Sequence, residues 1–229
     1  MSKNIVITIS RKYGSFGREI GRQLAEYLDI GYYDKEIMNH IAKEMGISSD
    51  FFSDENLNKE GMYSLSNGLR FGVTNLSELT MNAAVYDKSK EMIRNIAKNE
   101  SAVIVGRCAD YILKDNPNCI SVFISSKPED CLRRVISEYK VPEKEARKKI
   151  QEMDERRARF YEFHTQQKWG NANNFDLVIN TSSISPQAVI HMLACVFDDK
   201  LGYISLKGAF VDQYLEHKKI IEKELISKK

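Results

Sequence analysis

Arg11, Lys12 and Arg18 place three cations around two glycines, Gly14 and Gly17, with no acid before Glu19. Small residues let backbone N–H groups close around an anion, and the following helix N-terminus adds its dipole, so this spacing is that of a phosphate cradle. An ordinary turn can also use two glycines; the cations favour the anion site. Glycines at 14, 17 and 21 do not make the dinucleotide pattern G-x-G-x-x-G. Nor is G-x-x-x-x-G-K-[ST] matched, because Arg18 follows Gly17 where Lys would stand and Glu19 takes the Ser/Thr place. Further along, Asp34 and Arg107 each follow an apolar run. One acid with several arginines suits an anionic, hydrogen-bonding ligand. Ile150, Asp154, Arg157 and Tyr161 are spaced 4, 3 and 4, which puts them on one helix face. Asp154 and Arg157 either pair with each other at a surface or belong to a basic lid that reaches transferring phosphates.

These side chains need elements to hold them. Residues 4–10 are mostly β-branched and apolar, long enough for one buried strand. Ile20, Leu24, Tyr27 and Leu28 mark the helix that follows the loop. Residues 30–34 read as a short strand ending on Asp34, and Ile37, Met38, Ile41, Ala42 and Met45 as a helix closed by Gly46. Residues 47–75 have no clear period and are expected to be an irregular insertion. Leu76, Leu79, Ala83, Tyr86, Ile93 and Ala97 then predict a long helix.

Residues 102–106 form a second apolar run ending at Arg107, and residues 119–125 a third. Ser126 and Glu129 have capping-box spacing around Pro128. The segment 143–159 carries seven Lys/Arg and five Asp/Glu. Residues 174–180 close the strand set, and the chain is helical again from Pro186. Buried strands alternating with helices predict a parallel α/β sheet with right-handed crossovers, whose ligands bind beyond the C-terminal strand ends. From 206 to 229, Phe210, Val211, Tyr214, Leu215, Ile221 and Leu225 share one side of an expected helix, placed to cap the domain or to form a homodimer.

The chain has 229 residues, 42% hydrophobic and 29% charged, enough for one moderate domain. A net charge of +2 supplies no broad basic field, which disfavours a nucleic-acid polymer as partner. No apolar run has membrane-spanning length and no signal-peptide core is evident, so a cytoplasmic protein without membrane association is expected. Cys108, Cys119, Cys131 and Cys195 include no CxxC pair, and the four histidines no ligand spacing, so no protein-borne metal cluster is expected.

In order, Ile7-Thr8-Ile9-Ser10-Arg11, Gly14-Ser15-Phe16-Gly17-Arg18-Glu19-Ile20-Gly21, Tyr32-Tyr33-Asp34-Lys35-Glu36, Val103-Ile104-Val105-Gly106-Arg107-Cys108-Ala109-Asp110-Tyr111, Phe123-Ile124, Asp154 with Arg157, and Phe175-Asp176-Leu177-Val178-Ile179-Asn180-Thr181-Ser182 resemble the nucleoside monophosphate kinases, most closely the cytidylate kinase-like family. The resemblance spans about residues 4–200. It implies a three-layer P-loop NTPase fold: a five-stranded parallel sheet with helices on both faces, an NMP-binding insertion and a helical lid. It divides the chain into a kinase-like domain at about 1–205, with its insertion at about 47–100 and lid at about 140–172, and an extension at 206–229.

The implied activity is transfer of the ATP γ-phosphoryl group, with Mg2+, to CMP, dCMP or another small phosphorylated acceptor. A nucleotide-binding regulatory protein with weakened chemistry is the alternative, and an interaction protein using the C-terminal helix a third. By the resemblance, Arg11, Gly14, Ser15, Phe16, Gly17, Arg18 and Glu19 meet the ATP phosphates, and Arg133 and Arg134 are donor-side lid arginines. Asp34, Arg107, Asp154 and Arg157 meet the acceptor, Arg18 and Arg157 are catalytic, and Ser10 or Ser15 offers a hydroxyl toward magnesium. Cys108 stands where the family's Gly-Arg-Asp element has Asp, and Ile150 where a lid arginine is expected.

Overall fold

The computed structural model describes residues 3–34, 37, 39, 40, 43, 44, 46 and 76–202, with side chains from residue 83 in the last range. The irregular insertion expected at 47–75, most of the short helix before it and the C-terminal helix lie outside the described residues. Five strands form one parallel sheet: β1 (Val6–Arg11), β2 (Gly31–Tyr33), β3 (Ala102–Val105), β4 (Cys119–Ser125) and β5 (Leu177–Asn180). Their spatial order is β2-β3-β1-β4-β5. The central strand pairs Val6 with Ala102 on one side and Cys119 on the other. It runs one residue further than the apolar pattern predicts, because Arg11 continues the ladder opposite Ile124 and Lys12 N–H then donates to the Ile124 carbonyl at 3.0 Å.

Side-chain alternation on β1 explains the three layers. Ile5, Ile7 and Ile9 face α1 (Gly17–Leu28) and α6 (Pro186–Leu201), where Ile20, Leu24, Val189 and Leu193 are fully buried. Val6 faces the other way, with Ala102, Ile104, Ile93 and Ile96, toward α2 (Leu76–Asn99) and the short α3 (Ala109–Ile112). Each fully buried Ile or Leu contributes roughly 1.5–3 kcal/mol by leaving water. On α2 the inward face is Val85, Ser89, Ile93 and Ile96, whereas Ala83, expected inward, is exposed.

Two further helices complete the layers: α4 (Pro128–Ser137) and α5 (Glu143–Thr165). The expected capping box on α4 does not form. Lys127 is the N-cap and makes no side-chain cap bond, while the Ser126 hydroxyl bonds to Ser182 Oγ at 2.7 Å. The chain before β5 turns through a 3-10 helix (Ala172–Asn174), so β5 starts three residues later than the run of 174–180 suggests. All four cysteines are free thiols.

Candidate functional site

The basic loop joins β1 to α1 at the C-terminal edge of the sheet, beside the ends of β2, β3 and β4. Phe16 caps α1 in the left-handed region (φ 63°) and its carbonyl accepts from Ile20 N–H at 2.9 Å. The amides of the first helical turn lack intrahelical acceptors, and the helix dipole adds partial positive charge there. After β3 the backbone makes a second unusual turn, with Gly106, Arg107 and Cys108 at φ of 81°, 59° and 54°. A left-handed conformation costs a non-glycine residue of order 1 kcal/mol, so a run of three marks a tightly determined rim.

Asp34 closes β2 and is buried. Arg18 Nε lies 2.6 Å from its Oδ2 and Arg11 Nη2 3.7 Å from its Oδ1. Burial, the largest effect, and the neighbouring Arg157, Arg18 and Arg107 push the pKa of Arg11 down to about 9, against Asp34, which raises it. The predicted arginines 18, 107 and 157 thus gather around Arg11, with Asp34 meeting Arg11 and Arg18.

The charged helix α5 lies against this cluster through the face that its spacing predicts. Asp154 Oδ1 accepts from Tyr13 N–H at 2.7 Å, and Arg157 Nη1 donates to the Arg11 carbonyl at 3.0 Å. Asp154 and Arg157 also approach each other at 3.7 Å, and the Arg157 guanidinium lies 5.6 Å from the centre of the Tyr13 ring. Burial, the main effect, raises the Asp154 pKa despite these donors. One turn on, Tyr161 donates to Asp110 Oδ2 at 2.8 Å, while Ser10 Oγ donates to Asp110 Oδ1 at 3.3 Å. Burial raises the Asp110 pKa, and burial together with Asp110 pushes the Tyr161 hydroxyl up, so Tyr161 remains a donor.

The two donor-side arginines part company. Arg134 reaches the loop and bonds the Gly14 and Thr181 carbonyls, whereas Arg133 points outward, 74% exposed, paired with Asp130. Ser15 Oγ donates to the Lys12 carbonyl at 2.8 Å. Glu19 Oε1 accepts from Tyr139 OH at 3.1 Å, while its Oε2 is buried without a hydrogen-bond partner among the described residues. Residue types alone did not single out Tyr13, Asp110, Tyr139 or Thr181 for this site. Their roles arise from backbone groups and from partners as many as 166 residues apart. Tyr161 carried a signal through its helical register with Asp154 and Arg157, and Asp110 and Thr181 lie in segments that the family resemblance covers, without a role attached to them.

Sheet order, cradle and arginine cluster define an α/β protein of the P-loop kinase fold class. The sequence pattern of the cytidylate kinase-like family matches residues 6–183, and the chain belongs to that family. No curated protein matches it. Among solved structures it is similar to an uncharacterized protein from Eubacterium ventriosum ATCC 27560, at 28% identity and a TM-score of 0.65, covering 85% of this chain and 99% of that one. It is also similar to a shikimate kinase from Bacteroides thetaiotaomicron, at 13% identity and a TM-score of 0.49, covering 85% and 98%. A shikimate kinase from Aquifex aeolicus vf5 matches at 16% identity and a TM-score of 0.45, covering 85% and 97%. No helix among the described residues is long and apolar enough to cross a membrane.

Proposed function

We propose that this protein transfers the γ-phosphoryl group of ATP to a small phosphorylated acceptor, CMP or dCMP in the first instance, releasing ADP. The observation that carries this reading is the gathering of Arg18, Arg107 and Arg157 around Arg11 beside the loop, with Asp34 meeting Arg11 and Arg18. In the transfer, an acceptor phosphate oxygen bonds to the γ-phosphorus as the bond to the β,γ-bridging oxygen breaks. Such a reaction asks the protein to hold two anions in line and to neutralise charge spread over the moving group. The loop 14–19 would receive the donor phosphates, and Asp34 and Arg107 the acceptor. Asp154 and Arg157 would join them from α5, with Arg18 and Arg157 neutralising the transferring group.

Magnesium would arrive with the nucleotide. Among the described residues no group of three His, Cys, Asp or Glu is arranged to hold a metal by itself. Glu19 Oε2, buried without a hydrogen-bond partner among the described residues, and the lone pairs of the Ser10 and Ser15 hydroxyls, whose protons go to Asp110 and the Lys12 carbonyl, are the oxygens that would meet it. The ion would supply further charge neutralisation.

ADP release, measured across CMP, dCMP, UMP and AMP, tests the proposal. Turnover that falls in Gly17→Ala and Arg18→Ala is expected, and no turnover above those variants on any acceptor would remove the nucleotide reading. A second reading, a nucleotide-binding regulator, draws on the engagement of Arg18 by Asp34 and on the acid at position 19. ATP binding by calorimetry without any transfer would favour it.

A further inference from the structure

The Arg11 side chain leaves the end of β1 and passes through a gap that two glycines keep open. A Cβ on Gly17 would stand 2.5 Å from Arg11 Cβ, and one on Gly106 would stand 2.4 Å from Arg11 Nη1. The two glycines come from different elements, the first residue of α1 and the turn after β3. Glycine at 17 is usually explained in such loops by close approach of a ligand. Here the nearest atoms at that position belong to Arg11.

At the end of this path Arg11 is incompletely satisfied. Its approach to Asp34, at 3.7 Å, is too long for a hydrogen bond, and Asp34 is held instead by Arg18 at 2.6 Å. Arg11 Nε is buried and has no hydrogen-bond partner among the described residues. Arg157, Arg18 and Arg107 all disfavour its charge, while Asp34 and, more weakly, Asp154 support it. A buried, under-bonded guanidinium among like charges is costly in the absence of an anion and strongly favourable with one.

We propose that Arg11 is the cation that grips the terminal phosphate of the donor, its guanidinium reaching that phosphate between Gly17 and Gly106. It does so from beneath the loop, and thereby shares with Arg18, which also holds Asp34, the part that a lysine at position 18 would otherwise play. A guanidinium fork can meet two phosphate oxygens at once, which an ammonium cannot. The inference rests on the kinase reading for the identity of the phosphate, but not for the existence of the anion contact.

The test uses the full chain and inorganic tripolyphosphate as probe, with affinity read by calorimetry and folding by circular dichroism. Arg11→Ala is expected to bind about tenfold to 100-fold more weakly, the loss of a charge-assisted contact. Millimolar guanidinium chloride should restore part of that affinity, a rescue that a merely structural role would not show. Should Arg11→Ala fail to fold, Arg11→Lys and Gly106→Ala decide, the first changing the fork and the second obstructing its path. A folded Arg11 variant that binds tripolyphosphate as wild type does, or one that guanidinium leaves unrestored, overturns the assignment. Arg11-dependent binding without ADP release on any acceptor would sink the kinase reading alone. ADP release unaltered in Arg11→Ala would sink the assignment alone.

Discussion

Asp154 Oδ1 accepts a hydrogen bond from the backbone N–H of Tyr13 at 2.7 Å, so a carboxylate from α5 rests on an amide of the basic loop itself. With the Arg157 bond to the Arg11 carbonyl, this makes α5 a wall of the site. Both contacts use the loop backbone and hold whatever side chains the loop carries.

Asp154→Ala is therefore expected to lower stability by about 1.5–3 kcal/mol, the range for a hydrogen bond to a charged group. Arg157 loses its carboxylate partner in the same variant, so acceptor affinity should fall as well. Asp154→Asn keeps an acceptor for Tyr13 N–H and should recover most of the stability. Urea unfolding and acceptor titration of the two variants separate these effects. Equal stability of Asp154→Ala and wild type would show that the Tyr13 bond adds nothing net.

The sheet was legible because its central strands are buried on both faces and so read as unbroken apolar runs, Cys119–Ser125 to the residue. The face of α5 was legible because Asp154, Arg157 and Tyr161 lie within eight residues at helical spacing. Hydrogen bonds across the fold were not. Ser10 and Asp110 are 100 residues apart, and nothing local to either predicts their meeting. Ser126 shows the converse: its capping-box spacing is real, but Ser182 and Arg134 compete for the hydroxyl and win. The same holds for Gly17, whose spacing indicates a ligand loop although the atoms nearest to it are those of Arg11.

Two groups, Asp110 and the half-buried His164, make stability depend on pH in opposite senses. Asp110 has a raised pKa, so the folded state retains its proton more readily than the unfolded state does. Its contribution is full below the unfolded value of 3.8 and is lost as pH rises through the folded value. His164 is stacked on Tyr86 with ring centres 3.7 Å apart, and burial, then Lys90, lowers its pKa from 6.5 to about 4. Its contribution is present above pH 6.5 and is lost as pH falls toward 4. Since His164 is partly exposed, its effect is roughly 1 kcal/mol after solvent screening.

Unfolding free energies measured from pH 4 to 8 should accordingly change in different ways in two variants. His164→Phe keeps the stack on Tyr86 and should lose the rise between pH 4 and 6.5. Asp110→Asn should lose the fall above the ordinary carboxylate range. Identical pH profiles for wild type and both variants would show that neither group is linked to folding.

Arg134 is expected to act on phosphate binding through the loop. Its Nη1 donates to the Gly14 carbonyl at 3.2 Å, Ser126 Oγ at 2.9 Å and Thr181 Oγ1 at 3.0 Å, and its Nη2 to the Thr181 carbonyl at 2.9 Å. The guanidinium also lies 4.6 Å from the centre of the Phe16 ring, and Thr181 Oγ1 donates to the Ser15 carbonyl at 3.0 Å. Two successive loop carbonyls are thus drawn toward α4 and the end of β5. Because the peptide plane is trans and rigid, holding the Ser15 carbonyl there turns Phe16 N–H to the opposite side.

Arg134→Lys keeps the charge but lacks a planar fork able to span these acceptors. It should bind tripolyphosphate about tenfold more weakly and lose about 1–3 kcal/mol of stability. Thr181→Val removes only the hydroxyl contacts and should show a smaller loss of both. A variant with lowered stability but unchanged tripolyphosphate affinity would establish that the loop takes its shape without Arg134, and that the four bonds serve the fold alone.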